Sequence, residues 1–280
     1  MWGGFFIVGA AVLWSTIGVA SVYGGDVVIL AFVRSIIAGF VGLLFVRFFS
    51  RASIVAGFFL GLLFSSYPLA AVLAGVGVAA YLLYTAPLWA SMASLVYGER
   101  LGVYSGVSVV LVLLAVVFMG VDVGFGGLSF WGFVSGLLAG VSYGLYIAVA
   151  RYYSRVGRSL EVSLGAMPYT LMVTAPLTVV YALTSKNVGD LYSPVAAGVY
   201  LAVFATLIPY RLFTKGVERV GAATASVIAT LEPVLAAIWG FLLFKEIPTF
   251  LKLATYILIT MALIIAALGD LRVKRRGGNV

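Results

Sequence analysis

The sequence contains no cysteine and no histidine. Their absence excludes disulfides, thiolate nucleophiles, haem ligation and the usual zinc and copper sites, and it removes the commonest general base near neutral pH. Charge is scarce too. Only 9% of the 280 residues are Asp, Glu, Lys or Arg, against about a quarter in a soluble domain. Asp26, Asp122, Asp190 and Asp270 are scattered near loops, so no acidic cluster for a metal-dependent transferase is present. A Ser–His dyad is impossible. No Gly-rich run ends in Lys-Ser or Lys-Thr, so the chain has no nucleotide-binding loop of its own. An enzyme is not expected, nor is a metal or other cofactor.

Apolar residues are abundant instead, at 64% of the chain with a mean hydropathy of +1.19. No water-soluble fold can hide that much apolar surface. The solvent must be lipid, and the useful quantity is the number of segments long enough to cross roughly 30 Å of hydrocarbon, about 20 residues each. Ten such runs are expected, near 3–22, 27–46, 53–72, 76–97, 103–121, 130–150, 162–183, 195–217, 222–244 and 248–268. They do not alternate apolar with polar, so a β-barrel is not expected. The first run follows Met1-Trp2-Gly3-Gly4 with no basic residue ahead of it, which reads as a spanning helix and not a secretory leader.

The formal charge of +8 does not point to nucleic acid, because the basic residues sit in short loops between apolar runs. With the N-terminus inside, twelve of the 17 Lys and Arg fall in inner loops and the tail, three in outer loops, and two (Arg34 and Arg211) within spans. Lys and Arg accumulate on the cytoplasmic side. The expectation is a multi-pass protein of the cell membrane with both termini cytoplasmic.

The chain also carries an internal echo. A shift of 129 residues lays Trp2-Gly3 on Trp131-Gly132, Ala10 on Ala139, Val12 on Val141 and Trp14 on Tyr143. A shift of 146 lays Pro87 on Pro233, each followed by an apolar run that ends in acid, at Gly98-Glu99 and Lys245-Glu246. Repeats of five spans must lie upside down relative to one another, and inverted repeats around a midplane site are a recurring transporter design. The expected architecture is therefore all-α and polytopic, ten transmembrane helices in two inverted five-helix repeats. Residues 1–125 form the first, 126–270 the second and 271–280 a basic cytoplasmic tail.

Several of these residues together resemble a known family. They are Arg34 and Pro87 with the Gly98-Glu99-Arg100-Leu101-Gly102 turn in the first half. In the second half they are Tyr210, Gly221-Ala222-Ala223, Leu231-Glu232-Pro233-Val234 and Lys245-Glu246. The pattern resembles the EamA-type branch of the drug/metabolite transporter superfamily over essentially the whole chain. The resemblance implies ten helices in two inverted repeats and a helix break at the Glu-Pro pair. Arg211 stands where that family tends to be apolar.

Charge inside hydrocarbon costs at least ~2.5–3.5 kcal/mol at a helix centre, so Arg34, Arg211 and Glu232 each need a reason. The arginines are candidates to meet a substrate carboxylate or phosphate, and Glu232 to bind a proton or a substrate amine. Pairing between them and snorkelling to an interface are the structural alternatives. Pro87 and Pro233, which the repeat superposes, are candidate hinges, because a mid-helix proline frees a carbonyl that must be received by protein or a wet cavity. Deep aromatics, among them Trp14, Tyr67, Tyr84, Tyr143, Tyr146, Tyr169 and Tyr210, want partners for their polar atoms. Of these, Trp14, Tyr84, Tyr143, Tyr146 and Tyr210 are the expected substrate-binding aromatics. Gly57-Xaa-Xaa-Xaa-Gly61 and Gly136-Xaa-Xaa-Xaa-Gly140 could serve internal packing or a dimer.

Two arginines beside one glutamate favour an anionic or zwitterionic solute over a lipophilic cation. The expectation is a secondary transporter exporting amino acids or related small metabolites, with Glu232 as the candidate for proton exchange. A small-multidrug-like exporter, a sugar-phosphate or nucleotide-sugar carrier and a structural membrane subunit remain alternatives. The expected partners are a small-molecule substrate and the bilayer, with the chain as monomer or homodimer.

Overall fold

The structure, a computed structural model, describes residues 2–45, 50–96, 102–124, 126–185, 189–220 and 222–277. Helices make up nearly all of it, with no strand among the described residues. Ten are long and apolar enough to cross a membrane: α1 (Gly3–Gly24), α2 (Val27–Leu44), α3 (Arg51–Ala74), α4 (Val76–Ala93), α5 (Val103–Val123), α6 (Gly127–Tyr153), α7 (Ser159–Thr184), α8 (Tyr192–Val217), α9 (Val227–Phe244) and α10 (Phe250–Gly269). They follow the apolar runs to within a few residues. The Gly98-Glu99-Arg100-Leu101 turn, Arg47 and Lys186 lie outside the described residues, as do the last three residues of the tail.

The starts of α2, α3 and α8 are set by short polar side chains at the lipid–water boundary. Asp26 Oδ1 accepts from the N–H groups of Val28 and Ile29 at 3.0 and 3.1 Å, and Ser50 Oγ accepts from Ser53 N at 3.2 Å. Asp190 accepts from the Ser193 hydroxyl and from the N–H groups of Tyr192 and Ser193. These bonds, the hydroxyl first, hold its carboxyl below the usual carboxylate range. Each side chain takes up donors that a helix N-terminus leaves orphaned.

Within the spans most hydroxyls bond back to a carbonyl three or four residues earlier, as Ser21 does to Ile17 O at 2.7 Å and Ser66 to Leu62 O at 2.7 Å. That answers the demand of hydrocarbon for internal satisfaction of polar groups.

One large buried cluster unites residues of α1, α2, α3, α4, α6, α7 and α8, from Ile17 and Leu30 through Phe64 and Tyr67 to Leu201 and Ala205. Large apolar side chains such as Phe5, Phe40, Leu44, Val117 and Phe250 cover the outside, facing lipid. The helix pairs include α3 with α6, α8 with α1, α4 with α6, α9 with α1, α8 with α2 and α3 with α7. They also include α5–α10, α4–α9 and α2–α7. These nine pairs map onto one another when every helix number is moved by five, whereas the α1–α3 and α2–α3 contacts have no comparable α6–α8 or α7–α8 contact among the described residues.

Close approach depends on glycine. Gly132, Gly136, Gly140 and Gly144 recur every fourth residue along α6, and a Cβ on any of them would collide with α4 or its entry: Ala74, Leu82, Thr85 or Trp89 in turn. Gly57 and Gly61 of α3 meet Ala166, Tyr169, Thr170 and Val173 of α7 in the same way. Both small-residue motifs serve packing inside the chain.

Candidate functional site

Two helices are interrupted at matching places. In α4, helix runs over Val76–Leu83, pauses at Tyr84 and Thr85, and resumes over Ala86–Val96. In α9, helix over Ala222–Ala229 pauses at Thr230 and resumes over Leu231–Phe244. Each break lies just ahead of a proline, Pro87 or Pro233, and the shift of 146 residues that superposes the prolines also lays Tyr84 on Thr230. Proline has no N–H for the carbonyl four residues back, and its ring pushes that carbonyl away. For Pro233 the released carbonyl is that of Ala229.

The Tyr84 hydroxyl receives it. It lies 3.2 Å from Ala229 O and 2.6 Å from Glu232 Oε2, so one phenol bridges from the break in α4 to the break in α9. Glu232 sits in the first turn of its helix, where the positive end of the dipole favours a carboxylate. It is only 5% exposed.

These residues form the floor of a cavity of about 470 Å³. Its walls are aromatic: Trp14, Tyr84, Tyr143, Tyr210 and Phe213. Trp14 meets the Tyr210 ring edge-on at 5.6 Å and the Phe213 ring at 5.4 Å. The cavity runs from Glu232 past Pro87 and Ser91 to Ser105, Arg151 and Tyr152, where α6 ends and α5 begins. That end also carries Arg51, Arg158, Lys215 and Arg219, and is termed the basic end below.

Of the residues expected from sequence, Trp14, Tyr84, Tyr143, Tyr210, Glu232 and Pro87 line this cavity. The others stand apart from it. Tyr146 is buried behind the wall, stacked on Tyr143 at 6.2 Å. Pro233 is buried beside Glu232 and shapes the break without lining the space. Arg211 is exposed on the outer side of α8. Arg34 is buried between α2, α3 and α8, where its Nε and Nη2 donate to Thr206 Oγ1 at 3.1 and 3.0 Å. No ion pair joins Arg34 to Glu232 among the described residues. Sequence reasoning passed over Thr230, Phe213, Ser105 and the cavity role of Arg151. Arg151 counted only as a topology signal, and Thr230 could have been found by carrying Tyr84 across the repeat.

The opposite end is shut. Glu246, in the loop after α9, accepts from Val76 N at 2.8 Å and Gly77 N at 3.2 Å, capping α4 from the other half of the chain. The slot that admits its carboxylate is lined by glycine. Gly75 has φ +104° and would place a Cβ 2.9 Å from that carboxyl group, and a Cβ on Gly240 would strike the same oxygen. Nearby, Trp239 Nε1 donates to Ser15 Oγ at 3.0 Å, and the Thr16 and Tyr200 hydroxyls share a bond of 2.8 Å.

Comparison with known proteins agrees with this architecture. Residues 130–268 match the EamA-like transporter family. An uncharacterized transporter of Archaeoglobus fulgidus is 27% identical over 191 residues, which cover 68% of this chain and 67% of that one. The uncharacterized transporter YdfC of Bacillus subtilis is 31% identical over 183 residues, covering 63% of this chain and 58% of the relative. A solved crystal structure superposes with a TM-score of 0.62 at 21% identity, over 97% of this chain and 98% of that one. That likeness concerns the fold alone.

Proposed function

Because the chain belongs to the EamA-like transporter family through residues 130–268, we propose that it is a secondary active transporter exporting amino acids or related small metabolites in exchange for protons. The observation that carries this reading is the Tyr84–Glu232 hydrogen bond, which joins two proline-interrupted helices at the floor of an aromatic cavity. A carboxyl group so placed can hold a proton or a substrate ammonium, but not both, and that exclusion is the essence of exchange. The cavity volume falls in the range of small-molecule sites. Aromatic faces beside a carboxylate suit an ammonium group, while Arg151 at the basic end suits the anionic end of a zwitterion.

Residues 1–125 and 126–270 act as the two inverted repeats in this reading. The nine helix pairs that map onto one another on moving each number by five support it, as does the registry of Tyr84 with Thr230 and of Pro87 with Pro233. The basic end is the cytoplasmic face of the cell membrane, in keeping with the distribution of Lys and Arg. The cavity then faces inward, and the Glu246 cap is the closed outer gate of an alternating-access cycle.

The test is counterflow in proteoliposomes with labelled amino acids, sugar phosphates and a lipophilic cation. Saturable amino-acid exchange is expected, and exchange of nothing, or of the cation alone, would overturn the substrate reading. Glu232→Gln should abolish accumulation driven by a proton gradient while sparing exchange. A variant that still accumulates substrate removes Glu232 from coupling.

A further inference from the structure

Arg34 is left without a role by the cavity, and its surroundings ask for one. Its side chain is buried, 5% exposed, with the guanidinium carbon 3.7 Å from the centre of the Phe64 ring. A buried charge is costly unless it is paired and hydrogen-bonded. An arginine has five N–H donors, yet Nε and Nη2 of Arg34 both donate to a single oxygen, Thr206 Oγ1. That hydroxyl is fully engaged, since it also donates to Leu201 O at 3.0 Å. No carboxylate pairs with Arg34 among the described residues.

A second donor lies on the helix that Arg34 packs against. Tyr67 lies one turn beyond Phe64 on α3 and is 2% exposed, and its hydroxyl is one of three buried side-chain polar atoms without a hydrogen-bond partner among the described residues. Leaving such a group unsatisfied carries the full cost of stripping it of water. Two donor groups with unspent capacity are therefore buried on the α3 face that Arg34 packs against, and the acceptor they require is not supplied by the described residues.

The local backbone is built around this point. Thr206 lies in a stretch of π-helix, Val203–Leu207, where its hydroxyl reaches the carbonyl five residues back and turns its lone pairs to Arg34. Such one-turn expansions recur at functional sites. Phe64 covers one face of the guanidinium and Thr206 takes one edge, which leaves Nη1 to project from the pair.

We propose that Arg34 and the Tyr67 hydroxyl form a monovalent-anion subsite between α2, α3 and α8. Its ligand chemistry is that of a carboxylate or a halide, supplied either by the substrate's own carboxylate or by a free anion such as chloride. In the first case this site, in place of Arg151, reads the carboxylate of a zwitterion whose ammonium faces Glu232. In the second the anion completes the charge of the buried core. The substrate arm rests on the transport reading above, whereas the free-anion arm stands without it.

Tyr67→Phe is the decisive variant, because it deletes only a hydroxyl that bonds nothing among the described residues and so leaves folding intact. The full-length protein, purified in detergent, is followed by thermal unfolding. One series replaces methanesulfonate with chloride at fixed ionic strength, and a second adds each of the twenty amino acids in methanesulfonate. Stabilisation by chloride, with a half-saturating concentration raised at least about tenfold in Tyr67→Phe, assigns the subsite to a free anion; tenfold is the lower bound for losing one hydrogen bond to a charged group. Stabilisation by amino acids alone, weakened by the same variant, assigns it to the substrate carboxylate. No anion-dependent stabilisation in either series, or an identical response in Tyr67→Phe, overturns the proposal. Because the readout is binding and not flux, absence of counterflow would sink the transport reading and leave the anion result to be judged separately.

Discussion

The two ends of the helix bundle are built on opposite principles. At the end marked by Glu246, backbones touch through glycine, and a carboxylate from one half of the chain caps a helix of the other. At the basic end, α4, α5, α6 and α10 part around a cavity that reaches Glu232. Both ends are assembled from similar apolar sequence, so hydrophobicity does not distinguish them. The difference lies in where side chains are missing and where one acid is placed. In a bilayer, where helices gain nothing by hiding from lipid, contact comes from close packing and hydrogen bonds. The shut end has both.

The comparison can be broken most directly at Glu246. Replacing it by Ala removes two charge-assisted bonds of about 1.5 kcal/mol each, enough to shift an open–closed balance on the order of 100-fold. Since the natural chain has no thiol, Ala90→Cys on the cavity wall gives a single labelling site. In an otherwise native chain it should react with an impermeant reagent from the basic end only; with Glu246→Ala it should react from both sides. Unchanged one-sided labelling would mean that the cap does not hold the gate.

Glycine substitutions sharpen the contrast. A Cβ on Gly18, at the shut end, falls 2.7 Å from Val76 Cγ1. Gly18→Val should therefore cost about 1–3 kcal/mol through overpacking. Gly106 lies beside the cavity mouth, and a methyl group added there would meet no atom within 4 Å. Gly106→Ala should stabilise the helix by about 0.5–1 kcal/mol. Unfolding in detergent measures both, and equal responses would erase the distinction between the ends.

The spans and their order were legible because crossing hydrocarbon imposes a length and a composition that no other segment meets. The Glu-Pro pair was legible for a similar reason: a charge and a helix breaker, both costly in lipid, occur together at Glu232 and Pro233. The azimuth of each helix was not legible. In a soluble helix the apolar stripe marks the buried side, but here lipid and protein are equally apolar, so Arg34 and Tyr84 carry no mark of which way they face. Structure buries one between α2, α3 and α8 and places the other on the cavity floor. Glu246 ended an apolar run in the sequence and nothing more, since its partners are backbone N–H groups 169 and 170 residues away. Arg211 reads as anomalous among the intramembrane charges, yet it faces outward.

The row of four glycines on α6 has a mechanical meaning. A helix lying in an ordinary groove is indexed by side-chain teeth, and any displacement must climb over them. Along Gly132, Gly136, Gly140 and Gly144 the teeth are absent, so α4, already jointed at Tyr84 and Thr85, rests on something closer to a plain bearing than a rack. On the alternating-access reading proposed above, such a flank opposes little to displacement once the Glu246 latch lets go, and the place to tune the speed is the latch, not the track.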